Sequence, residues 1–204
     1  ELTEANAALQ REVADRRLVE EELRKSEDAL RRANEALGQR VDELQQRNRE
    51  ITLLSEMAET LQVCQTLEEA HSVVGRSAER LFPRWDGALS LISASQNTVE
   101  AVAVWGDAQP ADHVFAPDDC WALRRGQAHL VGDGGTKALC RPDHARGVGY
   151  FCLPLMAHGE TIGVLHLRAP AGREQVREAL EPRMQLAVAM GEQLALAITN
   201  LRLR

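Results

Sequence analysis

Residues 150–168 read Tyr150–Phe151–Cys152–Leu153–Pro154–Leu155–Met156–Ala157–His158–Gly159–Glu160–Thr161–Ile162–Gly163–Val164–Leu165–His166–Leu167–Arg168. Two apolar runs, Tyr150–Ala157 and Thr161–Arg168, flank His158–Gly159–Glu160, and this arrangement predicts a β-hairpin. Pro154 has no N–H to give a ladder, so the first run is expected at an edge or bulge. Working back, Ala128–Val131 reads as a brief strand and Cys120–Arg125 as a short helix stopped by Gly126. Ala88–Ser95 and Thr98–Trp105, joined by Gln96–Asn97, form an earlier hairpin. In front of it, Thr66–Leu67–Glu68–Glu69 is a capping-box pattern that opens a helix over Leu67–Leu81. Forward, Leu180, Met184, Ala187, Gly191, Leu194, Ile198 and Leu201 step by four and three, so a helix is expected from about Arg173 to the end. The order helix, hairpin, variable middle, hairpin, helix is satisfied by an α+β unit: an antiparallel sheet with its first and last helices on one face.

The first 60 residues obey a different rule. They hold no Pro, one Gly (Gly38), and leucine at a seven-residue interval: Leu2, Leu9, Leu23, Leu30, Leu37 and Leu44, closing with Ile51 and broken only by Arg16. If these are d positions, the a positions are Asn6, Val13, Glu20, Glu27, Asn34, Val41, Asn48 and Ser55. Leu at d with Asn at a favours a two-stranded parallel coiled coil with a fixed register. The expected dimer interface is Leu9, Leu23, Leu30, Asn34, Leu37, Val41, Leu44, Asn48 and Ile51, with Leu194, Ile198 and Leu201 forming a second seam in the last helix. After Ile51 the stripe shifts to Leu54, Met57, Leu61 and Cys64. That offset reads either as a coil giving way to a globular unit or as a helix able to hold two registers. The organisation expected is a coiled coil over 1–60, a globular domain over 61–172 and a closing helix over 173–204. Because the chain starts abruptly and ends inside a helical pattern, it is expected to be a fragment.

Composition removes several functions. With 24 Lys and Arg against 31 Asp and Glu in 204 residues, the net charge is −7, which argues against nucleic-acid binding. No run is long and apolar enough to span a bilayer or serve as a signal-peptide core, so no direct membrane contact is expected. Four cysteines (Cys64, Cys120, Cys140, Cys152) are too few for a disulfide scaffold and suit a reduced, cytoplasmic setting.

The run Leu153–Pro154–Leu155–Met156–Ala157–His158–Gly159–Glu160–Thr161–Ile162–Gly163–Val164–Leu165 resembles the late hairpin of GAF domains, where such a strand pair borders the ligand cavity. Asp118–Asp119–Cys120–Trp121–Ala122–Leu123–Arg124–Arg125–Gly126, followed by His129, resembles a GAF subgroup attached to bacterial GGDEF output domains. The stretch from Gly191 to Arg204 is similar to the helix leading into such a domain. The resemblance covers about residues 52–204. It implies a sensory module that binds a small-molecule ligand and passes its state through paired helices to an output enzyme after Arg204. That enzyme is expected to be a diguanylate cyclase. A histidine kinase, a cyclic di-GMP phosphodiesterase, or a dimerisation scaffold that binds nothing are the alternatives.

Within the middle segment, Cys120, His129, Cys140 and His144 are candidate zinc ligands, since thiolate and imidazole suit a tetrahedral ion. Their spacings of nine, eleven and four lack a tight Cys-x2-Cys pair. Cys120 with Cys140 is also a candidate redox pair, and His129 and His144 are candidate haem ligands. Cys140 is followed by Arg141, unlike the Cys-His of bilin-attaching GAF domains, and the Asn-Lys-Phe-Asp-Glu signature of cyclic-nucleotide binders is absent. Gly132–Lys137 lacks P-loop spacing. No catalytic residue is expected. Reduction of free methionine sulfoxide, which some small GAF-fold proteins perform with several cysteines, is the enzymatic alternative.

Overall fold

The computed structural model describes residues 1–107, 112–131, 140, 149–170 and 176–203. The chain divides into two compact units, Glu1–Arg49 and Glu50–Arg204. In the first, helix α1 (Leu2–Val63) leaves Leu9, Leu23, Leu30, Leu37, Val41 and Leu44 exposed, as a stripe awaiting a partner would be. Ion pairs one turn apart, Arg16–Glu12, Lys25–Glu21 and Arg47–Glu43, decorate it. Solvent screens such pairs, so they favour helix only weakly.

In the second unit the apolar series of α1 turns inward. Leu53 and Leu54 are half-buried, while Met57, Leu61 and Cys64 belong to the core. The shift in the stripe after Ile51 is therefore the point at which the helix begins to bury its apolar face in this unit. Helix α2 (Leu67–Leu81) starts at Thr66, whose Oγ1 accepts the Glu69 N–H at 3.2 Å. The Glu69 carboxylate reaches back to the Gln65 N–H at 2.8 Å, one residue before the cap. Its inner face is Ala70, Val73, Val74, Ala78 and Leu81.

Among the described residues, six strands form one antiparallel sheet: β1 (Asp86–Ile92), β2 (Val99–Trp105), β3 (Val114–Phe115), β4 (His129–Val131), β5 (Tyr150–Ala157) and β6 (Glu160–Arg168). Their spatial order is β3-β2-β1-β6-β5-β4. Strand β1 ends earlier than the sequence suggests. Ser93 N–H bonds Thr98 O and Gln96 N–H bonds Ser93 O, so the turn takes in Ser93–Thr98. The two-residue β3 was not anticipated, being too short to show a period. The late hairpin turns on two residues, His158 (φ 51°) and Gly159 (φ 83°), both in the left-handed region that matches the twist of a hairpin. The register then slips past Ile162, giving Leu155↔Gly163 and Cys152↔His166. Pro154 lies beyond Cys152, the last residue of β5 to pair with β4, so β5 is locally an edge there.

Helix α4 (Val176–Arg202) packs on β5, and α2 packs on β2. Gly191 of α4 faces Leu153 and Leu155 so closely that a Cβ there would meet Leu155 Cδ2 at 2.9 Å. Here the structure corrects the reading of the last helix as a dimer seam. Leu194 and Ile198 are fully buried within the chain's own core, and Leu201 is half-buried against it. Their heptad spacing serves this core, because one face of an amphipathic helix resting on a sheet repeats at nearly the same interval. Among the described residues of this helix up to Arg202, the apolar side chain that stays most exposed is Leu196, at 56 %. Arg183 ties three helices together, bonding Glu50 Oε1 at 3.3 Å and the Leu81 carbonyl at 3.2 Å.

His71 of α2 has a buried Nε2 without a hydrogen-bond partner. Burial pushes its pKa below the usual value, opposed by Glu68, aided by Arg202 and opposed by Glu100. A lowered histidine pKa favours the folded state fully above the unfolded value of about 6.5 and progressively less as pH falls through the folded value. Thermal melts between pH 7 and pH 5 should therefore show a fall in Tm that is smaller in His71→Leu. An equal fall in both proteins would remove His71 from the account.

Candidate functional site

The face of the sheet turned away from α2 and α4 carries a second, smaller core made of Val99, Phe115, Cys120, Ala122, Val131, Cys140, Tyr150, Cys152 and Val164. Alternation along β5 explains the division. Phe151 and Leu155 point to the helices, while Tyr150 and Cys152 point to the other side. Register then aligns a row across three strands, with His129 of β4 opposite Cys152 and Cys152 opposite His166 of β6.

A short capping segment meets this row. A single 3-10 turn, Pro117–Asp119, leads into Cys120, the N-cap of α3 (Trp121–Arg125). Gly126, at φ 60°, ends the helix. Trp121 stacks on His129 with centroids 6.3 Å apart, and the Arg124 guanidinium lies 4.5 Å over the Trp121 ring. Cys140 is fixed by two main-chain bonds: its N–H donates to the Tyr150 hydroxyl at 2.7 Å, and its sulfur accepts the Trp121 N–H at 3.4 Å. Tyr150 in turn packs its ring against His166, with centroids 5.3 Å apart.

The result is a cluster of three buried sulfurs. Cys140 Sγ stands 3.9 Å from Cys120 Sγ and 3.8 Å from Cys152 Sγ. All three sulfurs lie within 4.8 Å of one another. His166 Nδ1 is 3.3 Å from Cys152 Sγ. Hydrogen bonding with Cys120, then with Cys152, holds Cys140 well below the usual thiol range, helped by the Trp121 N–H and the charge of His129 and opposed by burial. Cys120 is pushed up to about 11, chiefly by that same hydrogen bond with Cys140. Cys152 is raised by its bonds to Cys120 and Cys140 and by burial.

Of the residues singled out in the sequence, Cys120 and Cys140 meet, and His129 flanks them as the stacking partner of Trp121 rather than as one of the mutually close donors. His144, and the glycine-rich Gly132–Lys137, lie outside the described residues. Cys152 was not singled out as a site residue in the sequence, and His166, on a strand expected to border the cavity, reads there as ordinary core filling. A signal for them existed: the hairpin expected from the sequence, with a three-residue loop, would set Cys152 opposite His166, and the observed register does so after its slip. The reading stopped at the strands and did not follow their register. Cys64, by contrast, sits in the helix-side core and donates to the Thr60 carbonyl at 3.3 Å. Among the described residues, no helix is long and apolar enough to cross a membrane.

The family model described as GAF domain matches residues 50–198. Among solved structures, the chain is similar to the A. aeolicus nlh2 GAF domain in an inactive state, with 16% identity and a TM-score of 0.61 over 76% of this chain and 98% of that one. It is similar to the phycocyanobilin-bound GAF domain of a cyanobacterial phytochrome at 14% identity and a TM-score of 0.60, over 76% and 96%. It is also similar to free methionine-R-sulfoxide reductase from Neisseria meningitidis in complex with its substrate, at 16% identity and a TM-score of 0.54, over 74% and 91%. Identities at this level speak for the fold alone. No curated protein matches the chain.

Proposed function

This chain belongs to the GAF domain family, and from that membership we propose that it is the sensory and regulatory region of a signal-transduction protein, working as a parallel homodimer. The observation that carries the reading is the change in burial along α1. Its heptad leucines are exposed over 9–44, and the same helix supplies Met57 and Leu61 to the core. Exposed leucines at every seventh position are costly for a lone helix and are relieved by a second copy in register. Within the second unit, a groove of about 330 Å³ between α1 and α4 mixes apolar Ala58, Leu196 and Leu201 with polar Gln62, Gln193 and Asn200, a surface on which a second copy could also rest.

A change at the cysteine face would bias the packing of the paired helices and so the geometry of an output enzyme. By resemblance that enzyme is a diguanylate cyclase, which joins two GTP into cyclic di-GMP with release of two pyrophosphates. Two active-site halves must face each other for this, so helix pairing is a sufficient control. A ligand need only bind one helix arrangement better than the other to shift the population.

Sedimentation of residues 1–204 should give twice the chain mass. Leu30→Glu with Leu37→Glu should give single chains whose globular unit still melts cooperatively, because those side chains lie outside its core. The protein carrying this region should make cyclic di-GMP from GTP, and the double substitution should abolish most of that rate. Single chains in the unsubstituted protein at micromolar concentration, or spin-label distances showing antiparallel helices, would overturn the dimer.

A further inference from the structure

We propose that Cys120, Cys140 and Cys152 form a three-thiolate site for a zinc ion on the outer face of the sheet. The inference names a ligand for the sensory face above and rests on that reading only for its consequence, since the ion binds or fails to bind whatever output follows.

Geometry comes first. An ion with Zn–S bonds of about 2.3 Å in tetrahedral array sets its sulfurs about 3.8 Å apart. The separations here are 3.9 and 3.8 Å, far beyond a disulfide bond of about 2.05 Å. The three sulfurs come from three separate segments: the N-cap of α3, the residue held by Tyr150, and the middle of the β4–β5–β6 row. The fold therefore assembles the site and holds it, with Cys140 fixed at both its N–H and its sulfur.

Chemistry selects the ion. The mutually close donors are all sulfur, with no carboxylate among them, which disfavours magnesium and calcium. The cysteines are 1%, 0% and 2% exposed, so residual charge is expensive. Three thiolates around a divalent ion leave one net negative charge; around a monovalent copper ion they leave two. Binding exchanges thiol protons for the ion. His166 Nδ1, beside Cys152 Sγ, is placed to donate an N–H to that thiolate, the outer contact that steadies a metal-bound sulfur. Three protein ligands leave the fourth tetrahedral position to a non-protein donor such as water.

The test uses the reduced 204-residue chain with zinc sulfate. After removal of excess metal, elemental analysis should find about one zinc per chain. Cobalt(II) added in its place should give an intense thiolate-to-metal charge-transfer band. Cys152→Ser and Cys140→Ser should each weaken binding by about a hundredfold or more, and Cys64→Ser should leave it unchanged. Competition of the unsubstituted protein with a chromogenic chelator gives the affinity even where a variant fails to fold. Metal-free protein after zinc loading, a cobalt spectrum without the thiolate band, binding unaffected by Cys152→Ser, or uptake of copper(I) with zinc refused would each overturn the assignment. The dimer and its output are read by sedimentation and cyclase rate, so neither failure is mistaken for the other.

Discussion

Phe151→Ala should destabilise the globular unit by about 3–5 kcal/mol, the cost of emptying a fully buried aromatic site. Phe151 has no exposed surface and packs its ring against Trp85 with centroids 6.3 Å apart. It lies in the strand between β4 and β6, on the side facing the helices, so neither neighbour can shift to refill the gap without breaking ladder bonds. For a domain of this size the loss corresponds to a fall in Tm of about 6–20 °C. Differential scanning calorimetry reads it directly. A fall under about 2 °C would mean that this side of β5 is not the packed interface described.

Gly163→Ala should cost about 2–3 kcal/mol although it adds one methyl group, because there is no room for it. A Cβ at Gly163 would press on the Ser90 carbonyl oxygen and meet Leu91 Cδ2 at 2.9 Å. The backbone contact is the severe one, since a carbonyl oxygen in a paired strand cannot swing aside as a side-chain tip does. Gly163 is also the residue just after the register slip, opposite both Leu155 and Leu91. Chemical denaturation should show a lower midpoint with an unchanged slope, the sign of altered stability without altered compactness. An unchanged midpoint would show that β6 can shift in register at no cost. Gly159→Ala, in the exposed turn with open space around it, should cost less, since only its positive φ opposes the change.

Much of this architecture was legible because local signals agreed with the global pattern. Thr66 and Glu69 marked the start of α2, Gly126 marked the end of α3, and the alternation in 150–168 marked the late hairpin. The heptad over 1–51 was equally plain. What misled was periodicity in α4, where steps of four and three describe a coiled-coil seam and a helix lying on a sheet alike. Leu194 and Ile198 turned out to serve the second. The site was half legible. Cys120 and Cys140 stood out by residue type within a loop-rich segment, where side chains with a chemical role are easy to notice. Cys152 and His166 were concealed inside apolar strands, where a cysteine passes for a small hydrophobe. Only the pairing of strands reveals that they stand side by side.

Strand β5 has a double occupation. Its odd-numbered side chains Leu153 and Leu155 lie beneath Gly191, while its even-numbered Cys152 belongs to the sulfur cluster. A single polypeptide thickness thus separates the thiols from the carboxyl-terminal helix. No second layer lies between the sulfur cluster and the leucines that meet Gly191, so the two faces of this strand share one wall.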